Sequence, residues 1–400
     1  MSFVVRHATA TTISEAHRIA RESFPEEPPG LFAAHTKNCP CFRYGNTLIG
    51  YEKNRAACAV TIIPRKLRVG TAVLNAAGIA DVCTAKEYRG RGCATQALLR
   101  AYETVKSENY DLSILFAAGR SLYSRLGWVP VRRWRFIYPA RLGYFPGSDD
   151  YTVEEEEYHG RVGELKRLYR AWSAGVAGTQ ERSAAYWRGL WEWVAPRSGT
   201  LAVARTRRGE AASYVITMRH SRGLTVGECV YEPVHFLSVK NLLLRCIRKA
   251  RETGLRRVVA HTGACHPLGL KMVQQGGCRE EVWNLHVRVV NPVALARKLA
   301  PELERRVREA GGLEKPVFFI VTGEGGRSAR MRVAGDGVET PVSGVKFRGA
   351  VKIDACGFFE LAVGSRDPEE TIRSKDGISP RALRTVFPRR DWGFCVTDHF

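Results

Sequence analysis

A mixed α/β fold is predicted from three features of the sequence. A β-prone run ending in Val82-Cys83-Thr84 passes through a loop holding Gly90 and Gly92 into a strongly patterned helix. A second apolar run, Asp111–Ala118, leads to a short helical segment that closes on Gly127. In the second half, Val226–Val230 leads into the helical stretch Leu237–Ala250 and repeats the layout. Strands alternating with helices in this way make α/β layers.

The chain is organised around Val82–Ala97. Ala94, Ala97, Leu98, Ala101, Tyr102 and Val105 recur at helical spacing, so one face of this helix is core. The glycines ahead of it let the backbone approach a ligand closely. The first N–H groups of a helix are unpaired and carry partial positive charge, which suits an anion. Arg89 and Arg91 add fixed charge, so the loop reads as a phosphate cradle. It lacks the Lys-Ser/Thr that closes a P-loop, and its glycines are not spaced as in a dinucleotide fold.

The other elements follow in order. Residues 3–9 read as a strand, and Thr12-Ile13-Ser14-Glu15 as a capping box opening a helix whose inner face is Ile13, Ala16, Ile19 and Ala20. Pro25, Pro28 and Pro29 break the chain into a loop reaching Pro40. Thr47–Tyr51 and Ala57–Ile63 are strands around a turn at Lys53-Asn54, and Pro64–Gly70 leads to a further strand, Val73–Ala80. Acidic, turn-rich residues from Gly147 to Glu157 mark a boundary. Near the end, Val317–Thr322, Ala329–Ala334 and Gly349–Asp354 read as strands and Phe358–Val363 as a helix.

Two motifs carry a family resemblance. Arg89, Gly92 and Ala94 stand in the order Arg-x-x-Gly-x-Ala after a strand, and Tyr123, Gly127 and Trp128 make a Tyr-x-x-x-Gly-aromatic element one β-α-β unit later. Together they resemble the GNAT superfamily of N-acetyltransferases. The arm Pro64-Arg65-Lys66-Leu67-Arg68-Val69-Gly70, followed by Ala77-Gly78-Ile79, resembles the enhanced intracellular survival (Eis) acetyltransferase family. So do Arg182-Ser183-Ala184-Ala185-Tyr186-Trp187, the run Val287–Leu295 and the terminal residues Phe394–Phe400.

That resemblance implies tandem GNAT-fold domains followed by a sterol-carrier-protein-like C-terminal domain. The implied boundaries are 1–147 for the catalytic domain, 148–288 for a degenerate second copy and 289–400 for the third. Glu232–Leu237 stands where the second copy's cradle would be and lacks its glycines, so that copy is expected to serve as a wall. Acetyl-CoA is the implied cofactor. Its implied contacts are Val82, Cys83 and Thr84, then Arg89, Gly90, Arg91, Gly92, Cys93, Ala94 and Thr95, and finally Ala118 and Gly119. Lys86 stands where relatives often have proline, and Cys93 places an oxidisable thiol in the cradle.

Acetyl transfer to an amine needs a group that protonates the leaving thiolate and one that takes the ammonium proton. A phenol, with reference pKa near ~10, is protonated at neutral pH. The resemblance gives the acid's place to Tyr123, while Tyr88 and Tyr102 read as structural. No Asp or Glu near the motifs stands out as the base. The family's answer is the chain's own C-terminal carboxylate, here on Phe400, whose ordinary pKa near ~3.5 burial must raise. The family also implies a homo-oligomer, a hexamer.

Composition sets the remaining limits. The net charge is +22, which points to an anionic partner. The basic residues are dispersed in small groups among acids, so a solvated arginine-rich surface is the first reading and nucleic acid is not the expected partner. No apolar run is long enough to span a membrane and the first residues lack a signal-peptide layout, so the cytoplasm is expected. The 11 cysteines are scattered with no Cys-x-x-Cys, which argues against a disulfide framework. Cys39-Pro40-Cys41, with no second pair at zinc-site spacing, leaves the expectation of no metal.

The leading reading is an acetyl-CoA-dependent N-acetyltransferase acting by direct transfer on an amine-bearing small molecule or a lysine side chain. Aminoglycosides, polyamines and lysine-type acceptors all stay open. The rival readings are a nucleic-acid or anionic-surface binding protein on the same fold and, third, a carrier of apolar ligands.

Overall fold

The computed structural model describes residues 3–117, 119, 121–141, 143, 145–220, 223–341, 349–372 and 378–398. Ala118 and Phe400, both expected at the site, lie outside the described residues.

The first third runs β1 (Phe3–His7), α1 (Ile13–Ser23), α2 (Leu31–Asn38), β2 (Thr47–Glu52), β3 (Arg55–Val69), β4 (Ala72–Thr84), α3 (Cys93–Ser107), β5 (Leu112–Phe116), α4 (Ser121–Arg125) and β6 (Val129–Pro139). The second runs β7 (Tyr151–Glu156), α5 (Val162–Ser173), the two-residue pieces β8 (Val176–Ala177) and β9 (Thr179–Gln180), α6 (Ala184–Val194), β10 (Thr200–Thr206), β11 (Ala211–His220), β12 (Gly223–Tyr231), α7 (Ser238–Glu252), β13 (Arg257–Thr262), α8 (Pro267–Gln274) and β14 (Cys278–Val289). The last holds α9 (Pro292–Glu309), β15 (Val317–Thr322), β16 (Ser328–Ala334), β17 (Gly337–Glu339), β18 (Val351–Asp354), α10 (Ala355–Val363), α11 (Pro368–Thr371), α12 (Pro380–Val386) and β19 (Asp391–Trp392).

One continuous sheet joins the first two thirds in the order β1-β2-β3-β4-β5-β14-β6-β13-β12-β11-β10-β7, with β9 pairing β3. The two halves exchange strands. β14 enters the first half between β5 and β6, pairing Leu285 with Phe116 on one side and with Val131 on the other. β6 in turn borders the second half through β13. The last third forms a separate sheet, β17-β16-β15-β18, and shares one apolar core with β4, β5, β6 and β14.

A buried carboxylate ties that last third to the arm between β3 and β4. Gly70, at φ 60, presses its backbone against the Glu302 carboxylate, so a Cβ there would lie 2.1 Å from Oε2. Burial alone would raise the Glu302 pKa. Hydrogen bonds from Arg305 and the Thr71 N–H, with the Arg306 charge beside it, hold it instead at about 2.

Local chemistry accounts for most elements. The turn after β2 uses Lys53 and Asn54 at φ 49 and 62, the left-handed pair that a tight hairpin needs. α1 buries Ile13, Ala16, Ile19 and Ala20 as the spacing predicts. The expected capping box does not form, however. The Thr12 hydroxyl accepts from the Thr9 N–H at 2.9 Å, and Glu15 accepts from the Tyr51 hydroxyl at 2.7 Å. The stretch read as a loop to Pro40 contains α2, which starts directly after Gly30 at φ 78. β3 continues through Pro64 to Val69. Its pairing with β2 ends at Thr61, so Pro64 sits where that edge is free and the missing N–H costs no ladder bond.

Candidate active site

β4 and β5 lie side by side in parallel from Ala76–Leu112 to Ile79–Leu115, and their ladder stops there. On its other side β4 keeps pairing with β3 to Thr84, through an irregularity between Ala59 and Thr61. Asp81 sits in that irregularity at φ 50. The divergence leaves the β5-facing backbone of Val82, Cys83 and Thr84 without a strand partner.

Beyond Thr84 the chain turns through Tyr88 and reaches Gly90 and Gly92, both at φ 77 with nothing within 4 Å of a built Cβ. Gly92 is the N-cap of α3, and no side chain caps that helix. The Gln96 N–H closes onto Gly92 O at 3.1 Å, so the amides from Cys93 to Thr95 make up the uncapped first turn. An open loop of left-handed glycines before an uncapped helix fits a pyrophosphate, and the free β4 edge beside it fits an extended amide-bearing arm. The arginines contribute less than the sequence suggested. Arg89 Nε donates to Thr84 O at 3.2 Å, and Arg91 pairs with Glu52 at 3.3 Å. The Cys93 side chain is buried in the core, so only its amide belongs to the loop.

A cavity of about 640 Å³ opens where β4 and β5 part. Ile79–Val82, Phe116, Ala117 and Gly119 line it, with Phe32 from α2 and Trp193 from α6. Tyr123 lines it from α4. That five-residue helix ends in a Schellman closure, with Trp128 N–H to Tyr123 O at 3.1 Å, Gly127 N–H to Ser124 O at 3.1 Å and Gly127 at φ 87. The Trp128 indole donates to the Ser113 hydroxyl of β5 at 3.2 Å, which fixes the closure to the sheet. Burial raises the Tyr123 pKa, so the phenol stays protonated over a wide pH range.

The acid that sequence reasoning missed is Asp81. Asp81 is among the residues lining the cavity, and its carboxyl, hydrogen-bonded with Thr61, is pushed up to about 6, chiefly by burial and further by the Glu27 charge. One signal was available: an aspartate inside the apolar run Gly78-Ile79-Ala80-Asp81-Val82-Cys83, just ahead of the cradle. Glu27 also reaches the cavity but is paired with Arg197 at 2.5 Å.

The motif at Arg182–Trp187 resolves into an anchor for the end of the chain. Arg182 is fully buried, with Nε and Nη2 donating to Asp398 at 2.9 and 2.8 Å and Nη1 and Nη2 to Glu228 at 3.2 and 2.5 Å. Its guanidinium lies 4.2 Å from the Tyr169 ring centre and 4.7 Å from that of Trp187. The Tyr186 hydroxyl donates to Asp398 at 2.9 Å. Asp398 therefore serves as a clamp. Burial raises its pKa, while Glu228 is held low by Arg182 against the same burial. Glu228, Cys395 and Asp398 stand close enough to share a cation, and Arg182 supplies it.

Residues 4–131 match the family model for the GNAT acetyltransferase domain. This part of the chain is thus similar to a GNAT acetyltransferase domain. The fold of the whole chain is shared with solved structures. A GCN5-related N-acetyltransferase from Anabaena variabilis aligns over 100% of both chains with a TM-score of 0.71 at 17% identity. One from Kribbella flavida aligns over 100% of both at 0.69 and 17%, and Eis1 from Mycobacterium abscessus over 100% of both at 0.67 and 14%. No curated protein sequence matches the chain. GNAT enzymes use acyl-CoA, and the glycine loop, the β4 edge and Tyr123 all lie within or beside this stretch. No helix among the described residues is long and apolar enough to cross a membrane.

The glycine geometry predicts a binding defect. Gly92→Val forces a β-branched residue into the left-handed region, at a cost of ~1–2 kcal/mol. Denaturation should show that loss, and calorimetry should show weaker coenzyme A binding.

Proposed function

We propose that the protein is an acetyl-CoA-dependent N-acetyltransferase that acts on primary amines by direct transfer. The observation that carries this reading is one cavity lined by both Asp81, whose carboxyl is raised, and Tyr123, whose phenol stays protonated, beside the glycine cradle. Bound acetyl-CoA supplies the thioester. Arg89–Thr95 would hold its pyrophosphate with amide groups, and Val82–Thr84, Ala118 and Gly119 would align its arm. Tyr123 then holds the proton that the leaving sulfur needs. Asp81, at about 6, is ionised at neutral pH yet basic enough to take the proton of an incoming ammonium.

The Phe400 carboxylate keeps a role in this reading as the counter-ion that seats the ammonium. Val396 lines the cavity, and Asp398 is clamped by Arg182. The cavity also balances Asp81 and Glu27 against Arg197 and Arg219 amid aromatic walls. That balance favours a single ammonium on an apolar body over a polycation. On this reading residues 148–288 form the second GNAT-like unit and 289–400 the sterol-carrier-like one, and the protein works in the cytoplasm as a homo-oligomer.

The experiment is steady-state thiol release from acetyl-CoA with arylalkylamines, polyamines and aminoglycosides, on the intact protein and on one lacking Phe400. Arylalkylamines should turn over best, and removal of Phe400 should raise the amine KM ~10-fold or more while acetyl-CoA still binds. No thiol release with any amine would remove the reading.

A further inference from the structure

The segment after α2 places two thiols together in a way that the acyl-transfer site does not use. Cys39-Pro40-Cys41-Phe42 is a β-turn closed by the Phe42 N–H on Cys39 O at 3.0 Å. Proline presets the backbone at the second position of such a turn. The turn sets Cys39 Sγ 2.8 Å from Cys41 Sγ. Arg65, only 4% exposed, points Nη1 at Cys41 Sγ from 3.5 Å. Both cysteines are half-buried rather than enclosed, and Cys41 lines an open groove of about 880 Å³. Cys58, Cys83, Cys93, Cys229, Cys246 and Cys395 are buried by contrast.

We propose that Cys39 and Cys41 form a modification site, a dithiol that a hydroperoxide converts to an intramolecular disulfide. The thiolate of Cys39 attacks one peroxide oxygen. The O–O bond breaks, the displaced oxygen leaves as water or an alcohol after taking a proton, and Cys39 carries a sulfenic acid. The Cys41 sulfur then attacks the Cys39 sulfur, the S–O bond breaks, and the hydroxyl leaves as water with the Cys41 proton. Two electrons pass from the sulfurs to the peroxide.

The proton distribution prepares the first step. A hydrogen bond from Cys41 and the Arg65 charge push the Cys39 thiol down to about 6 against the effect of burial, and donating that bond raises Cys41. The nucleophile is thus ionised at neutral pH while its partner keeps the proton that the second step releases. The pair closes a loop of one intervening residue and needs no movement of another element.

The test treats the native full-length protein with one equivalent of hydrogen peroxide and follows intact mass and peptide maps. The expected first product has lost two hydrogens, both from the peptide holding Cys39 and Cys41. Its rate should be half-maximal near pH 6, well below the ~8.5 of an ordinary thiol. Cys41→Ser should stop at a Cys39 sulfenic acid that dimedone captures, and Cys39→Ser should slow peptide oxidation ~10-fold or more. Independently of any variant, phenylarsine oxide should bind the native protein one to one, and prior peroxide treatment should block it. First oxidation at Cys265, Cys278 or Cys356, or arsenical binding that survives the peroxide, overturns the proposal.

Discussion

Asp81→Asn should lower kcat/KM by ~10²–10⁴, the usual contribution of a positioned proton acceptor. The fold should survive, because asparagine keeps the shape and the Thr61 partner. The pH profile makes the result specific. A carboxyl raised to about 6 is protonated below that pH and cannot accept a proton, so kcat/KM of the native enzyme falls as pH drops through about 6 and levels off above pH ~7. In Asp81→Asn this acid limb should vanish along with the activity. An acid limb that persists in Asp81→Asn would move the base to the Phe400 carboxylate. Tyr123→Phe should lose a similar ~10²–10⁴ of turnover, with the acid limb intact, because it removes the proton donor and leaves the acceptor. Full turnover in Tyr123→Phe would end its assignment as the acid.

Arg182→Met should cost about 3–5 kcal/mol of stability, read from the denaturation midpoint. Methionine replaces most of the volume between Tyr169 and Trp187 but removes the cation that bridges Glu228 and Asp398. Both carboxyls are buried, so neither can recover water, and the cost is that of uncompensated buried charge rather than of lost packing. Neutralising the two acids together, Glu228→Gln with Asp398→Asn in the Arg182→Met background, should recover much of it. A small loss in the single variant, or no recovery in the triple, would show that the anchor rests on packing alone.

The contrast between α3 and α2 shows what the sequence reveals. α3 announces itself because its apolar stripe and its glycine start are local: Ala97, Leu98, Ala101, Tyr102 and Val105 are buried as the periodicity selects, while Ala94 is half-buried and Cys93 is buried beside it. α4 is legible for the same reason, since Gly127 writes its closure into the chain. α2 has little apolar asymmetry and follows three prolines, so its helical state depends on packing against α6 and α1. Asp81 is only faintly legible, as an aspartate inside an apolar run, for a related reason. An aspartate in a strand becomes a raised acid only through its burial at the irregularity opposite β3. Arg182 could be singled out as part of a motif, but its partners stand 46 and 216 residues away in the chain.

The strand exchange at β14 also sets a timetable. When the ribosome has made everything through β6, the catalytic half still lacks the strand that separates β5 from β6, and both present open edges. That strand is the last of the second half to be translated, so the sheet beside the cavity is completed only after the rest of the second half has been synthesised. A newborn chain must shelter those edges for well over a hundred codons. The second half, which has no phosphate cradle of its own, thereby acts as the first half's built-in folding partner.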